Sequence, residues 1–137
     1  MRARGSAFTL TEVMVTVVIV GILASMAMVG YQRTIEGSYW RTARDILQTI
    51  YSGEIVYWTT NSQYFAPAAP ADWTNIHMDN PNTALPVTFT VAVDNVANPP
   101  TFTATATRNG GGCDTETQTV DQTRTFGGIW KQTGACP

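Results

Sequence analysis

At 137 residues and a formal charge of −2, the chain is long enough for one modest core, and it has no basic stripe to track a phosphate backbone. Only 13% of its residues are charged, low for a freely solvated surface, so some of that surface is expected to be covered by neighbours. One histidine, no metal-ligand spacing and no glycine-rich phosphate loop behind a strand leave neither a catalytic constellation nor a cofactor cradle. No enzyme, cofactor or specific nucleic-acid partner is expected.

The chain opens with Arg2 and Arg4 and then, from residue 13 to residue 30, runs 18 positions without a charge. As a helix that run spans roughly 27 Å, close to the hydrocarbon thickness of a bilayer. The basic residues before it predict a cytoplasmic N-terminus, with everything after Gly30 across the membrane. Glu12 stands at the mouth of the run, where a carboxylate is costly to carry into lipid and needs a partner.

Beyond Gly30 the apolar residues Tyr31, Ile35, Tyr39, Ala43, Ile46 and Ile50 recur every three or four positions, which predicts that the helix continues. Trp40, Leu47, Tyr51, Ile55 and Trp58 widen the stripe, and Arg33, Glu36, Arg41, Arg44, Asp45 and Gln48 fill the polar positions between. One helix from Phe8 to about Trp58 results, with Gly21, Gly30, Gly37 and Gly53 as its expected weak points. Residues 59–85 read as a proline-punctuated connector, with Tyr64, Phe65 and Trp73 pinning it to the core; a stretch this long implies a short helix or a functional surface.

From residue 87 the period changes to two. Val87, Phe89, Val91 and Val93 alternate with Thr88, Thr90 and Ala92, and Phe102, Ala104 and Ala106 alternate with threonines, as in an antiparallel pair. A further hairpin is expected from residues 117–120 and 124–130, turning near Asp121. Strands grouped after a helix predict an α+β layer, with the amphipathic stripe as the lid of a sheet of three or four strands. Cys113 and Cys136 both fall in the exported part, where an oxidising compartment favours a disulfide; free buried thiols or a metal half-site are the weaker alternatives.

The run Phe8-Thr9-Leu10-Thr11-Glu12, the following Gly21-Ile22-Leu23-Ala24 and Tyr31 resemble the N-terminal signature of type IV prepilins and the related pseudopilins. The resemblance implies a pilin fold, and a leader, residues 1–7, cut off by prepilin peptidase between Ala7 and Phe8, after which Phe8 is N-methylated. Glycine usually precedes the cut, so cleavage after Gly5 is the competing choice. Residues 8–30 would form the transmembrane and polymerisation helix. Residues 31–137 would form the pilin domain: amphipathic helix to about 58, connector 59–85, sheet and disulfide loop 86–137. Val29 stands where many pilins carry a helix-kinking proline, which implies a straighter rod.

The resemblance implies a structural subunit held in the inner membrane before assembly and displayed at the cell surface afterwards, in a helical homo-oligomeric filament. Its implied partners are prepilin peptidase, an inner-membrane assembly platform with its motor ATPase, and an outer-membrane pore. The chemistry needs no family: a new Phe8 amine, mostly protonated at neutral pH, would meet Glu12 of a neighbour at the edge of a low-dielectric layer, setting register while apolar stripes supply adhesion. Competing readings are a type II secretion pseudopilin, a tethered extracytoplasmic binding domain that never polymerises, and a secretory signal cut near Ser25-Met26-Ala27. Asp114, Glu116 and Asp121 offer oxygen ligands for calcium, but a solvated loop is the favoured reading there.

Overall fold

A computed structural model describes residues 8–83 and 85–131. One helix, α1, runs from Leu10 to Asn61 over 52 residues, a rod of roughly 78 Å. It is followed by two 3₁₀ turns, Pro70–Ile76 and Pro81–Thr83, and by four strands: β1 (Val87–Asp94), β2 (Thr101–Arg108), β3 (Thr117–Asp121) and β4 (Phe126–Gly128). The strands form one antiparallel meander in the order β1-β2-β3-β4. The α+β lid-on-sheet architecture expected from the sequence is what the chain adopts.

Helix α1 starts and stops for local reasons. Thr9 caps its N-terminus in extended conformation, and Ser62, in the left-handed region at φ 55°, ends it by donating its amide to the Trp58 carbonyl at 2.8 Å. Between these ends the helix is unbroken, so the glycines do not interrupt it. Gly53 has a different use. A Cβ there would run into the carbonyl of Ile76, so glycine lets the first 3₁₀ turn lie directly on the rod.

Strand alternation sets the core. Val87, Phe89 and Val91 on β1, Phe102, Ala104 and Ala106 on β2, and Val120 on β3 face inward beneath Ala43, Leu47 and Ile50 of the helix. The two alanines of the central strand are fully buried, and their small size leaves room for the helix to settle over β2. The opposite face of the sheet carries rows of threonine, with Thr88 paired to Thr107 and Thr90 to Thr105 across β1 and β2. Thr105 and Thr107 then pair with Thr119 and Thr117 on β3.

The connector is more ordered than a plain loop. Pro70 opens the first 3₁₀ turn and the Asp72 carboxylate accepts from the amides of Ala68 and Ala69, at 3.0 and 2.8 Å, so that Trp73 and Ile76 drop into the core. Asn82, in the second turn, accepts from the Phe89 amide at 2.6 Å and donates to its carbonyl at 3.2 Å. It takes the place a neighbouring strand would occupy on the free edge of β1. At the end of the sheet Trp40 donates its indole N–H to the Trp130 carbonyl at 2.9 Å, and the Arg44 guanidinium lies 4.0 Å from the centre of the Phe126 ring.

The helix face that packs is the expected stripe, with Ala43, Leu47 and Ile50 fully buried and Tyr39, Trp40, Ile46, Tyr51 and Ile55 half-buried against the core. Tyr31 is 67% exposed and Trp58 41%, while Glu36 and Glu54, one assigned to a polar position and the other unassigned, are buried. The buried line is Glu36, Ala43, Leu47, Ile50, Glu54, so carboxylates sit at both ends of an apolar seam.

Candidate functional site

The N-terminal end of α1 is a capping box. Thr9 Oγ1 accepts from the Glu12 amide at 3.3 Å, and Glu12 Oε2 accepts from both the amide and the hydroxyl of Thr9 at 3.4 Å. A Thr-x-x-Glu spacing does this because it brings the N3 carboxylate back to the N-cap amide, next to the positive end of the helix dipole. Glu12 is thus oriented by its own chain at the mouth of the apolar run. The sequence carries the signal for this in Thr9 followed three residues later by Glu12, a spacing that the charge of Glu12 alone does not convey.

Phe8, 81% exposed, stands just outside the cap. From Val13 to Met26 the large apolar side chains are 50 to 72% exposed, with none of the described globular residues laid over them. The two hydroxyls in this stretch are spent internally, Thr16 on the Val13 carbonyl at 2.8 Å and Ser25 on the Ile22 carbonyl at 2.7 Å. Neither hydroxyl is left to oppose an apolar surrounding. The helix is long and apolar enough to cross a membrane.

This geometry coincides with one match among known proteins. Residues 2–28 fit the family model described as the prokaryotic N-terminal methylation motif. The chain carries the type IV prepilin-like signature. Neither the curated proteins nor the solved structures provide a match to the chain. The matched residues take in the capping box and most of the exposed apolar run, and end eight residues before Glu36.

The remaining expected sites are scattered over the molecule. Ala7 and Cys136 lie outside the described residues, so the processing site and the disulfide are not placed. Cys113 is buried at 1% exposure, in the loop between β2 and β3. The three acidic residues considered for calcium are not brought together. Asp114 accepts from the Gly110 amide at 2.6 Å, Glu116 is buried, and Asp121 is the last residue of β3, roughly 17 Å along the strand from Glu116. Asp121 Oδ1 is taken up by the Thr123 hydroxyl at 2.6 Å and by the amides of Thr123 and Thr125, each at 2.9 Å. The Thr123 hydroxyl, first among these bonds, holds its carboxyl below the ordinary range.

Two buried carboxylates are not evident from the sequence. Glu36 receives both arms of Arg108, Nε at 2.9 Å on Oε2 and Nη2 at 2.7 Å on Oε1. The same guanidinium lies 4.7 Å from the centre of the Tyr39 ring, and its Nη1 donates to the carbonyls of Pro86 and Asn109. Gly111, at φ +76°, closes over the pair; a Cβ there would come within 2.7 Å of Glu36 Oε1. Glu54, with no exposure at all, accepts from the Phe65 amide at 2.9 Å through Oε2, while Oε1 has no hydrogen-bond partner among the described residues. Burial pushes its carboxyl up to about 7, against a smaller lowering by the Phe65 amide. Both stand at helical spacing from Ala43, Leu47 and Ile50, so their place on the stripe, not their charge, is the signal that finds them in the sequence.

Proposed function

We propose that this chain is the structural subunit of a type IV pilus filament. It would be inserted in the inner membrane with its N-terminus cytoplasmic, cut between Ala7 and Phe8, N-methylated on Phe8, and polymerised through its N-terminal helix. The observation that carries this reading is the methylation motif set on an apolar half-helix that the chain's own domain leaves bare. A rod with such a surface gains by packing against copies of itself when it leaves lipid.

In this reading Glu12 exchanges its weak bonds to Thr9 for the cationic amine of a neighbour's Phe8, and the exchange sets the axial stagger. Prepilin peptidase, an inner-membrane platform with its motor ATPase and an outer-membrane pore are the partners this requires. A disulfide between Cys113 and Cys136 would close the C-terminal loop. The protein's task is structural and needs no catalytic residue.

N-terminal sequencing of the mature protein, together with electron microscopy of sheared surface material from cells carrying wild type or Glu12→Ala, tests the proposal. A chain beginning at methylated Phe8, filaments in wild type and their loss in an inserted Glu12→Ala protein are expected. A chain still beginning at Met1 would overturn it. Correct processing without surface filaments would point to the second reading, a secretion pseudopilin, which the same motif accommodates.

A further inference from the structure

Glu54 has no part in filament assembly as proposed, and its role stands independently of whether filaments form. The side chain lies between the last turns of α1 and the connector, shut off from solvent. Its one bond among the described residues, to the Phe65 amide, ties the helix to the connector. Tyr64 is held separately, its amide and carbonyl clasped by the Asn95 side chain at 2.9 and 3.0 Å. The Tyr57 and Phe65 rings, 5.2 Å apart, and the Ile76 backbone against Gly53 complete the seat.

Among the described residues, the titratable groups around this carboxyl do not neutralise it. The helix contributes the phenols of Tyr51 and Tyr57, and the connector that of Tyr64, itself raised chiefly by burial. The first 3₁₀ turn contributes Asp72, occupied by two amides, and His77, which is exposed. At the end of β1, Asp94 is turned to the amides of Val96 and Ala97, at 3.0 Å each. The ion pair of Glu36 and Arg108 is 18 residues up the helix, roughly 27 Å away.

A neutral carboxyl tolerates this pocket, because its one strong acceptor is used and the remainder carries no net charge. An ionised one needs several donors and has one among the described residues, a deficit that a buried group meets by admitting water. We infer that Glu54 is a proton-operated latch: with its proton it seals residues 62–76 onto the helix, and without it that segment lifts to let water in. The raised carboxyl, at about 7, places the exchange near neutrality. Lifting would uncover Tyr64, Phe65, Trp73 and Ile76 and leave the sheet and the N-terminal half of the rod in place.

Hydrogen exchange read by mass spectrometry on the full chain in detergent, at pH 5.5 and 8.5 and corrected for intrinsic rates, tests this. Protection of amides 64–76 in wild type is expected to fall at least tenfold between the two conditions and to lie well below that of β2 at pH 8.5, where β2 loses only what global stability loses. In Glu54→Gln the protection of 64–76 is expected to be the same at both. Constant protection in wild type, or an equal fall in Glu54→Gln, would overturn the latch. Should Glu54→Gln not fold, the wild-type comparison of the connector with β2 decides alone.

Discussion

Glu54 and Phe65 are joined by one 2.9 Å bond from the Phe65 amide to a carboxyl that has no exposure to solvent. The native protein keeps the proton of Glu54 up to about pH 7, whereas the unfolded chain gives it up near the ordinary value of 4.5. The contribution of Glu54 to stability is therefore largest below pH 4.5, falls as pH rises from there to about 7, and is flat above. The full shift corresponds to about 3 kcal/mol, and relaxation of the surroundings around the ionised group reduces the expected loss to about 2 kcal/mol. Denaturant unfolding in detergent between pH 4.5 and 8 should show this decline, and Glu54→Gln should remove it.

The Glu36–Arg108 pair is two-bonded and nearly closed to water, with side-chain exposures of 12% and 6%. Removing one partner strands the other charge in the interior. Arg108→Leu and Glu36→Leu are each expected to cost about 3 to 5 kcal/mol, and the double replacement clearly less than their sum. Midpoints of denaturant unfolding for the three variants measure the coupling.

Gly53→Ala and Gly30→Ala separate helix propensity from packing. Alanine favours a helix by roughly 0.5 to 1 kcal/mol at either position. Nothing lies within 4 Å of the Cβ that Gly30→Ala adds, whereas that of Gly53→Ala meets the Ile76 backbone. Gly30→Ala should be neutral or stabilising by thermal melting, and Gly53→Ala destabilising by about 1 to 2 kcal/mol as the 3₁₀ turn is pushed off.

Asn82→Ala removes both bonds to Phe89 and opens the outer edge of β1. A loss of about 1 to 2 kcal/mol is expected, with faster aggregation on storage because the bared strand can pair with another chain. Light scattering over time beside a thermal melt checks both parts.

Much of the fold is written in local periodicity. Val87, Phe89 and Val91 among threonines give β1 its inward face, and Phe102, Ala104 and Ala106 do the same for β2. The first 3₁₀ turn also has a readable start in Pro70 and Asp72, hidden when proline is read only as a breaker. Glu36 and Glu54 are not legible. A helical wheel sets them among Ala43, Leu47 and Ile50, but their charge argues for the wet face, and what keeps them buried is Arg108, 72 residues further along the chain, and the Phe65 amide across a chain reversal. At the N-terminus the Phe8-to-Glu12 motif is legible because it acts through neighbours in sequence, as the cap between Thr9 and Glu12 demonstrates. The last hairpin is legible only in part: β4 stops after three residues, at Gly127 and Gly128.

Glu36 is the first residue of α1 to be buried among those described, and it is tied there to the end of β2. Traction applied along the bare rod consequently enters the head at this clamp before it reaches Leu47 or Ile50. Two short charge-assisted bonds loaded in parallel resist shear better than sliding hydrocarbon, because they must break together, while apolar contacts re-form at each small displacement. The head is thus anchored mechanically at its neck.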